Sequence, residues 1–118
     1  LDLRDLEAWA IDNAWSHDPD DAISFDGEAF WVHVADPAAF VRPDSAVDRE
    51  ALARGSTLYL PELTAHMLPD EALARAGLGL AEESCALSFR IRVDAEASIV
   101  SVEALATRLR VRRSHYAE

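Results

Sequence analysis

Four aspartates fall within ten residues of this chain. Asp12, Asp18, Asp20 and Asp21 lie in the stretch Ile11-Asp-Asn-Ala-Trp-Ser-His-Asp-Pro-Asp-Asp-Ala22. If they converge, a pair about 4 Å apart repels by roughly 4 kcal/mol at an effective dielectric of about 20. Such a group relieves the repulsion by taking up protons or by binding cations. Magnesium prefers a few carboxylates completed by waters and phosphate oxygens. Two such ions about 3.5–4 Å apart stabilise both the attacking and the leaving oxygen of a phosphoester displacement. Three other readings of the same residues stand beside this one. The first is a set of solvated loop aspartates with Asp18 capping a turn, the commonest fate of this residue type. The second is a calcium loop, although Asp18-Pro19-Asp20-Asp21 lacks the alternating acids and central glycine of an EF-hand. The third is a His-Asp metal site made by His17 and Asp18 with His33 or His66, a class built on helices where this region reads as strands.

Secondary structure must bring these groups together. Ala8 to Asp12 is a short apolar run that predicts a buried strand ending on the first aspartate. Asn13 to Pro19 reads as a loop, since Pro19 biases Asp18 away from helix. Ala22–Phe25 and Ala29–Val34 flank Asp26-Gly27, a hairpin signal. Ser45-Ala-Val-Asp48 resembles a capping box with the shorter acid, opening a helix that ends near Gly55. Thr57 to Leu60 is a strand-like run stopped by Pro61, and Asp70 to Ala76 is a short helix closed by Gly77. Period-two alternation follows, with Phe89, Ile91 and Val93 on one side and Arg90 and Arg92 on the other. Leu109 and Val111 alternate in the same way with Arg108, Arg110 and Arg112, and Asp94-Ala-Glu96 can turn the chain between the two runs. The expectation is an antiparallel pair whose outer face carries solvated arginines. Trp9, Trp15 and Trp31 are expected in core or rim packing, and His33 hydrogen-bonded at a strand end. Asp36 is open between orienting the acidic group and capping the turn that follows. Together these elements predict an α+β fold, a mixed and largely antiparallel sheet with short helices on its faces.

The 118 residues match one domain and can bury one core. Half are apolar and 28% are charged, a globular balance. No apolar run approaches the roughly 18 residues of a membrane span, and no secretory leader pattern opens the chain. Cys85 is the only cysteine, which excludes an intramolecular disulfide and fits a cytoplasmic protein. The net charge of −11 opposes non-specific nucleic-acid binding. That charge is uneven: residues 1–50 hold 13 acidic and 3 basic side chains, whereas 90–113 hold 6 arginines against 3 acids. The chain opens on Leu1 rather than Met, and Ser114-His-Tyr-Ala-Glu118 reads as a helix beginning, so a piece of a longer protein is expected.

The order Ile11-Asp12, five residues, Asp18-x-Asp20-Asp21-Ala22 resembles the signature of the ribonuclease II/ribonuclease R family, shared with the catalytic subunit of the exosome. Asp2-Leu-Arg-Asp5 continues the resemblance upstream. Downstream, Val32-His-Val-Ala-Asp36 is similar to the family's HIAD strand end, and Arg42-Pro-Asp-Ser-Ala-Val-Asp-Arg49 to its PGSALDREA segment. Gly55-Ser-Thr-Leu-Tyr59-Leu-Pro61 is similar to GTSVYLP, and Met67-Leu68-Pro69 to MLP. These segments run in family order over nearly the whole chain. Gly77-Leu-Gly-Leu80 and Glu83-Ser84 depart from the family's LCSL segment and from its following arginine.

The resemblance implies that residues 1–118 are the N-terminal part of a larger RNB-type catalytic domain. The implied activity is 3′→5′ exonucleolytic hydrolysis of single-stranded RNA to nucleoside 5′-monophosphates, with magnesium as cofactor and manganese as the alternative ion. Asp12, Asp20 and Asp21 would bind or organise metal and Asp18 would complete the group. Asp20 and Asp18 would carry catalysis, Asp20 being the position whose loss abolishes cleavage most completely. Tyr59 corresponds to an aromatic that stacks on a base near the RNA 3′ end; without the resemblance it reads as a half-buried strand residue. The family's further catalytic acid, its arginine and its second stacking aromatic would follow Glu118, and OB-fold RNA-binding domains would belong to the parent chain, so the fragment alone is expected to be inactive. The rivals are a non-catalytic RNA-binding or regulatory relative with the same fold, and a calcium- or magnesium-stabilised structural module.

Overall fold

The structure is a computed structural model that describes residues 1–16 and 18–116. Its strands are β1 (Ala8–Asp12), β2 (Asp21–Phe25), β3 (Phe30–Ala35), β4 (Leu58–Tyr59), β5 (Thr64–Ala65), β6 (Ser84–Val93), β7 (Ile99–Leu109) and β8 (Val111–His115). Its helices are α1 (Ala46–Arg54) and α2 (Asp70–Ala76), with a 3-10 turn at Pro37–Ala39. Six strands form one sheet in the order β7-β6-β3-β2-β1-β8, and β4 and β5 form a separate ribbon. Among the described residues every strand-to-strand pairing is antiparallel except that of β1 with β8, and an isolated parallel bridge joins Asp2 to Arg108. The expected α+β architecture, mixed and largely antiparallel, is the one observed.

Local chemistry explains most of the elements. Asp26 shapes the β2–β3 hairpin, its Oδ1 accepting from the N–H groups of Glu28 and Ala29 and its Oδ2 from Trp31 Nε1. Gly27 takes the left-handed φ of 95° that this turn needs. At the head of α1, Ser45 Oγ accepts from the Asp48 N–H at 3.2 Å, while Asp48 Oδ2 accepts from the Asp44 N–H at 2.8 Å. This is a capping box shifted by one residue.

One face of the sheet is concave and lined by small side chains. Ala8 and Ala10 of β1, Ala22 and Ser24 of β2, and Ser84, Ala86 and Ser88 of β6 are buried there, with Trp31, His33, Thr107 and Leu109. Leu78, fully buried, fills the concavity from the loop after α2 and packs with Ala10, Ala22, Ala86 and Leu109. Its N–H donates to the carbonyl of Pro19 at 2.8 Å. Gly79, at φ 81°, lets this loop pass, because a Cβ there would stand 2.9 Å from Arg113 Cγ.

The convex face is apolar and open, and it carries Arg108 and Arg112 as expected, but Arg90 and Arg92 do not lie on it. Ile23, Val32 and Phe89 form one cross-strand row, and Phe25, Phe30, Ile91 and Val102 another. Arg90 and Arg92 share the parity of Ser84, Ala86 and Ser88 and so lie on the concave side. Arg90 stands over Trp31, 5.9 Å from the ring centroid, and meets Asp26 and Glu28 at 3.4 Å. Small residues dominate β1, β2 and β6 on the closed side, where Trp31, His33, Leu109 and the inserted Leu78 take up the volume.

Three further expectations are corrected. Leu109 and Val111 do not belong to one arm, since Leu109 ends β7 against β6 and Val111 starts β8 beside β1, with Arg110 alone between them. One nearly continuous run thus joins both edges of the sheet and curls it. Ser114 and His115 complete β8 rather than open a helix; Ala117 and Glu118 lie outside the described residues. Trp31 is buried as expected, but Trp15 is 73% exposed and Trp9 stands at the surface.

A buried polar chain crosses four strands on the concave side. Thr107 Oγ1 donates to the Ala86 carbonyl, so the Ser88 hydroxyl donates to Thr107 at 2.5 Å. His33 Nδ1–H must then donate to Ser88 at 2.7 Å, and Ser24 O–H to His33 Nε2 at 2.9 Å. Burial lowers the His33 pKa from 6.5 to about 4. Between these values the unfolded chain holds a proton that the folded chain does not. This part of the stability is therefore complete above pH 6.5 and falls as pH drops towards 4. Urea unfolding of the 118-residue chain at pH 7, 5.5 and 4.2 should show that decline, and a His33→Gln variant should show a shallower one. Parallel slopes for the two proteins would refute the assignment.

Candidate active site

β1 delivers Asp12 to one end of the sheet, the loop 13–20 delivers Asp18 and Asp20, and β2 opens on Asp21. Trp9 pairs with Ile23. Asp12 has the parity of buried Ala8 and Ala10, whereas Asp21 has that of exposed Ile23 and Phe25. The four aspartates thus share one strand end.

The loop between them is tied on all sides. The Asp20 carbonyl accepts from the Ala35 N–H at 2.8 Å, and the Asp12 carbonyl from the Tyr116 N–H at 3.1 Å. Asp18 Oδ2 accepts from the hydroxyl of Tyr59 at 2.5 Å. That bond is the main reason the Tyr59 phenol is pushed up to about 12. Asp20 remains open to solvent as a whole residue, yet its carboxyl is raised above the usual range. Partial burial is the first cause, followed by repulsion from Asp21 and then, behind a compensating bond to its own backbone, from Asp18 and Asp12. Asp20 therefore feels the charge of the other three across the strand end.

Among the described residues, no three acidic, histidine or cysteine side chains are grouped closely enough to ligate one ion. The donor set nevertheless fits magnesium, which takes only one or two protein carboxylates where waters and phosphate supply the rest. Asp12 Oδ2 is buried with no hydrogen-bond partner among the described residues. Burial of an unpaired carboxylate oxygen is costly, and a cation satisfies it. The histidine alternative loses support. Both ring nitrogens of His33 are engaged, His17 lies outside the described residues, and His66 lines a different cavity of about 650 Å³ beside α1. Asp36 makes no side-chain capping bond to the turn it precedes, so the capping role is not seen.

Asp18 and Asp20 stand on a cleft of about 430 Å³ whose other walls include Val34, Tyr59, Met67 and Leu68. Carboxylates on apolar walls suit a ligand with a charged end and a flat apolar body. Tyr59 is 66% exposed rather than half-buried. Sequence reasoning missed the walls: Met67-Leu68 was visible as a segment, but its place beside Asp20 depends on how the loop after β5 folds back.

Residues 1–116 match the model of the RNB domain. This chain belongs to the RNB domain family. Ribonuclease II, chloroplastic/mitochondrial, of Arabidopsis thaliana is 45% identical over 91 residues, covering 72% of this RNB chain and 11% of that protein. Mycoplasma genitalium RNase R, solved in complex with double-stranded RNA, matches with a TM-score of 0.89 and 27% identity over 98% of this chain and 22% of that one. Yeast Ssd1, described as a pseudonuclease, shares the fold at a TM-score of 0.81 and 22% identity, over 95% of this chain and 15% of its own. The RNB chain thus spans about a tenth to a fifth of the length of these relatives.

A carboxyl raised by burial and like charge is a source of instability at neutral pH, because ionising it costs more in the folded chain than in the unfolded one. Asp20→Asn should therefore raise the melting temperature of the 118-residue chain in chelator at pH 7.5. Added magnesium should stabilise the parent sequence more than the variant. A lower melting point for the variant in chelator would show that Asp20 is under no such repulsion.

Proposed function

We propose that this RNB chain forms the acidic part of the active site of a magnesium-dependent exoribonuclease, degrading single-stranded RNA from its 3′ end to nucleoside 5′-monophosphates in the cytoplasm. The observation that carries this reading is the meeting of Asp18 and Asp20, within charge range of Asp12 and Asp21, with a cleft walled by Tyr59. Asp12, Asp20 and Asp21 would hold the ion, and Asp18 would complete the group. Bound magnesium, or manganese in its place, supplies Lewis-acid activation of the phosphoester and of water.

The chain's own residues account for the rest. Stacking of a base on Tyr59 is worth about 1–3 kcal/mol and is indifferent to sequence, as a degrader of arbitrary RNA requires. The apolar walls of Val34, Met67 and Leu68 accept the base, and the carboxylates stand on the side where a phosphate must be met through metal. With a net charge of −11, the chain repels RNA until cations neutralise this end. Further RNA contacts, including OB-fold domains, would come from the parent protein, and the 118 residues alone are inactive on this reading.

A non-catalytic relative is the second reading, favoured by the fold shared with yeast Ssd1. Retention of all four aspartates weighs against it. Asp20→Asn in the full-length protein should lower turnover by about 10²–10³-fold or more, while RNA affinity stays within about twofold, because a neutral isostere removes a metal-facing charge and few RNA contacts. Chromatography of the products from a labelled single strand, with affinity measured in parallel, checks both. Near-normal release of mononucleotides by the variant would remove Asp20 from the mechanism.

A further inference from the structure

Tyr59 sits on the β4–β5 ribbon, which is not part of the main sheet. The ribbon is small: Leu58 pairs with Ala65 and Tyr59 with Thr64, and the Leu60 N–H donates to the Leu63 carbonyl at 2.9 Å. The Met67 N–H closes it against Thr57 Oγ1 at 3.1 Å. Such a ribbon holds its own shape poorly without outside support. Its exposed tyrosine reaches across 41 residues of sequence to Asp18 in the acidic loop. The separation of 2.5 Å lies in the range of charge-assisted O–H···O⁻ bonds, about 2.5–2.7 Å.

The bond has a chemical consequence for Asp18. Its Oδ2 is occupied by the phenol, and among the described residues no hydrogen bond reaches Oδ1. A carboxylate held through one oxygen keeps its orientation and offers the other to a cation. Partners of this kind orient metal ligands, and losing one typically costs 10–100-fold in metal affinity.

We propose that Tyr59 is a positioning residue for the metal centre, orienting the Asp18 carboxylate through its hydroxyl in addition to offering its ring to a base. The ring and the hydroxyl then do separate things. The ring faces the cleft and meets substrate, whereas the hydroxyl sets the metal ligand before any RNA arrives. One residue thereby couples the base-binding wall to the acidic group, and a base settling on the ring acts on a side chain that also bears on the ion. This rests on the exonuclease reading only insofar as that reading places a divalent cation at Asp18.

The test is binding of the bare ion, without RNA and without turnover. Magnesium chloride is titrated calorimetrically into the full chain, and manganese is followed by electron paramagnetic resonance. The proteins are the parent sequence, Tyr59→Phe, Asp18→Asn, the double variant and Asp20→Asn. Tyr59→Phe keeps the ring and alters an exposed position, so its melting temperature in chelator should match the parent. Its metal affinity should be about tenfold weaker. Asp18→Asn should also bind more weakly, and adding Tyr59→Phe to it should cause no further loss, as expected for two groups acting as one unit. Equal metal affinity for the parent and Tyr59→Phe, with Asp20→Asn impaired, would overturn the positioning role and leave the metal site standing. Failure of the parent to bind either ion, or unchanged binding by Asp20→Asn, would overturn the metal site and the role of Tyr59 with it.

Discussion

A sheet can curl tightly only if the side chains on its concave face leave room for the opposite strands. Here that face carries Ala8, Ala10, Ala22, Ser24, Ser84, Ala86 and Ser88 beside Trp31, His33 and Leu109, with Leu78 inserted from a loop. The small lining allows β7 and β8, separated by Arg110 alone, to serve both edges of the same sheet. The curl sets β8 beside β1, ties the Asp12 carbonyl to Tyr116, and pins the acidic loop through Pro19 and Leu78. A larger residue at Ala10 or Ala86 would meet Leu78 and press on the loop that carries Asp18 and Asp20.

Two ends of the concave face have opposite electrostatic characters. At the hairpin end, Asp26 and Glu28 are answered by Arg90 and Arg92, and Asp26 accepts three further hydrogen bonds, which hold its carboxyl well below the usual range. At the other end, Asp12, Asp18, Asp20 and Asp21 meet no arginine among the described ion pairs, and the Asp20 carboxyl moves upward instead. Equal residue types thus end in opposite states because one group is neutralised within the fold and the other is not. Carboxylates left without an internal counter-charge are a cost to the fold and an opportunity for a cation from outside.

The convex face carries bulky apolar residues in register across β2, β3, β6 and β7. Rows of this kind exceed what single exposed hydrophobic residues contribute to an ordinary surface. Alternation along β6 was legible in the sequence as a period of two. Which of its two faces would be covered was not, because Phe89 and Ile91 look more core-like than Ser88 and Ala86. The loop after α2, which lays Leu78 on the face of Ala86, settled it.

The sequence by itself determined the local events and the chemical offer. Asp26-Gly27 made the hairpin through bonds within five residues, Ser45 and Asp48 started α1, and Pro19 kept Asp18 in a loop, each by interactions too short in range for the rest of the fold to override. The four aspartates and their spacing were equally plain, and their order among the other segments pointed to the RNB family. Only the tertiary structure decided that Asp18 and Asp20 share a cleft with Tyr59, Met67 and Leu68. It also decided that Arg110 links opposite edges of the sheet and that Tyr59 bonds to Asp18 rather than packing as a strand residue. These depend on register, curvature and contacts between residues dozens of positions apart. A linear pattern of residue types carries the parity of each strand but not the partner or the curvature that gives that parity its direction.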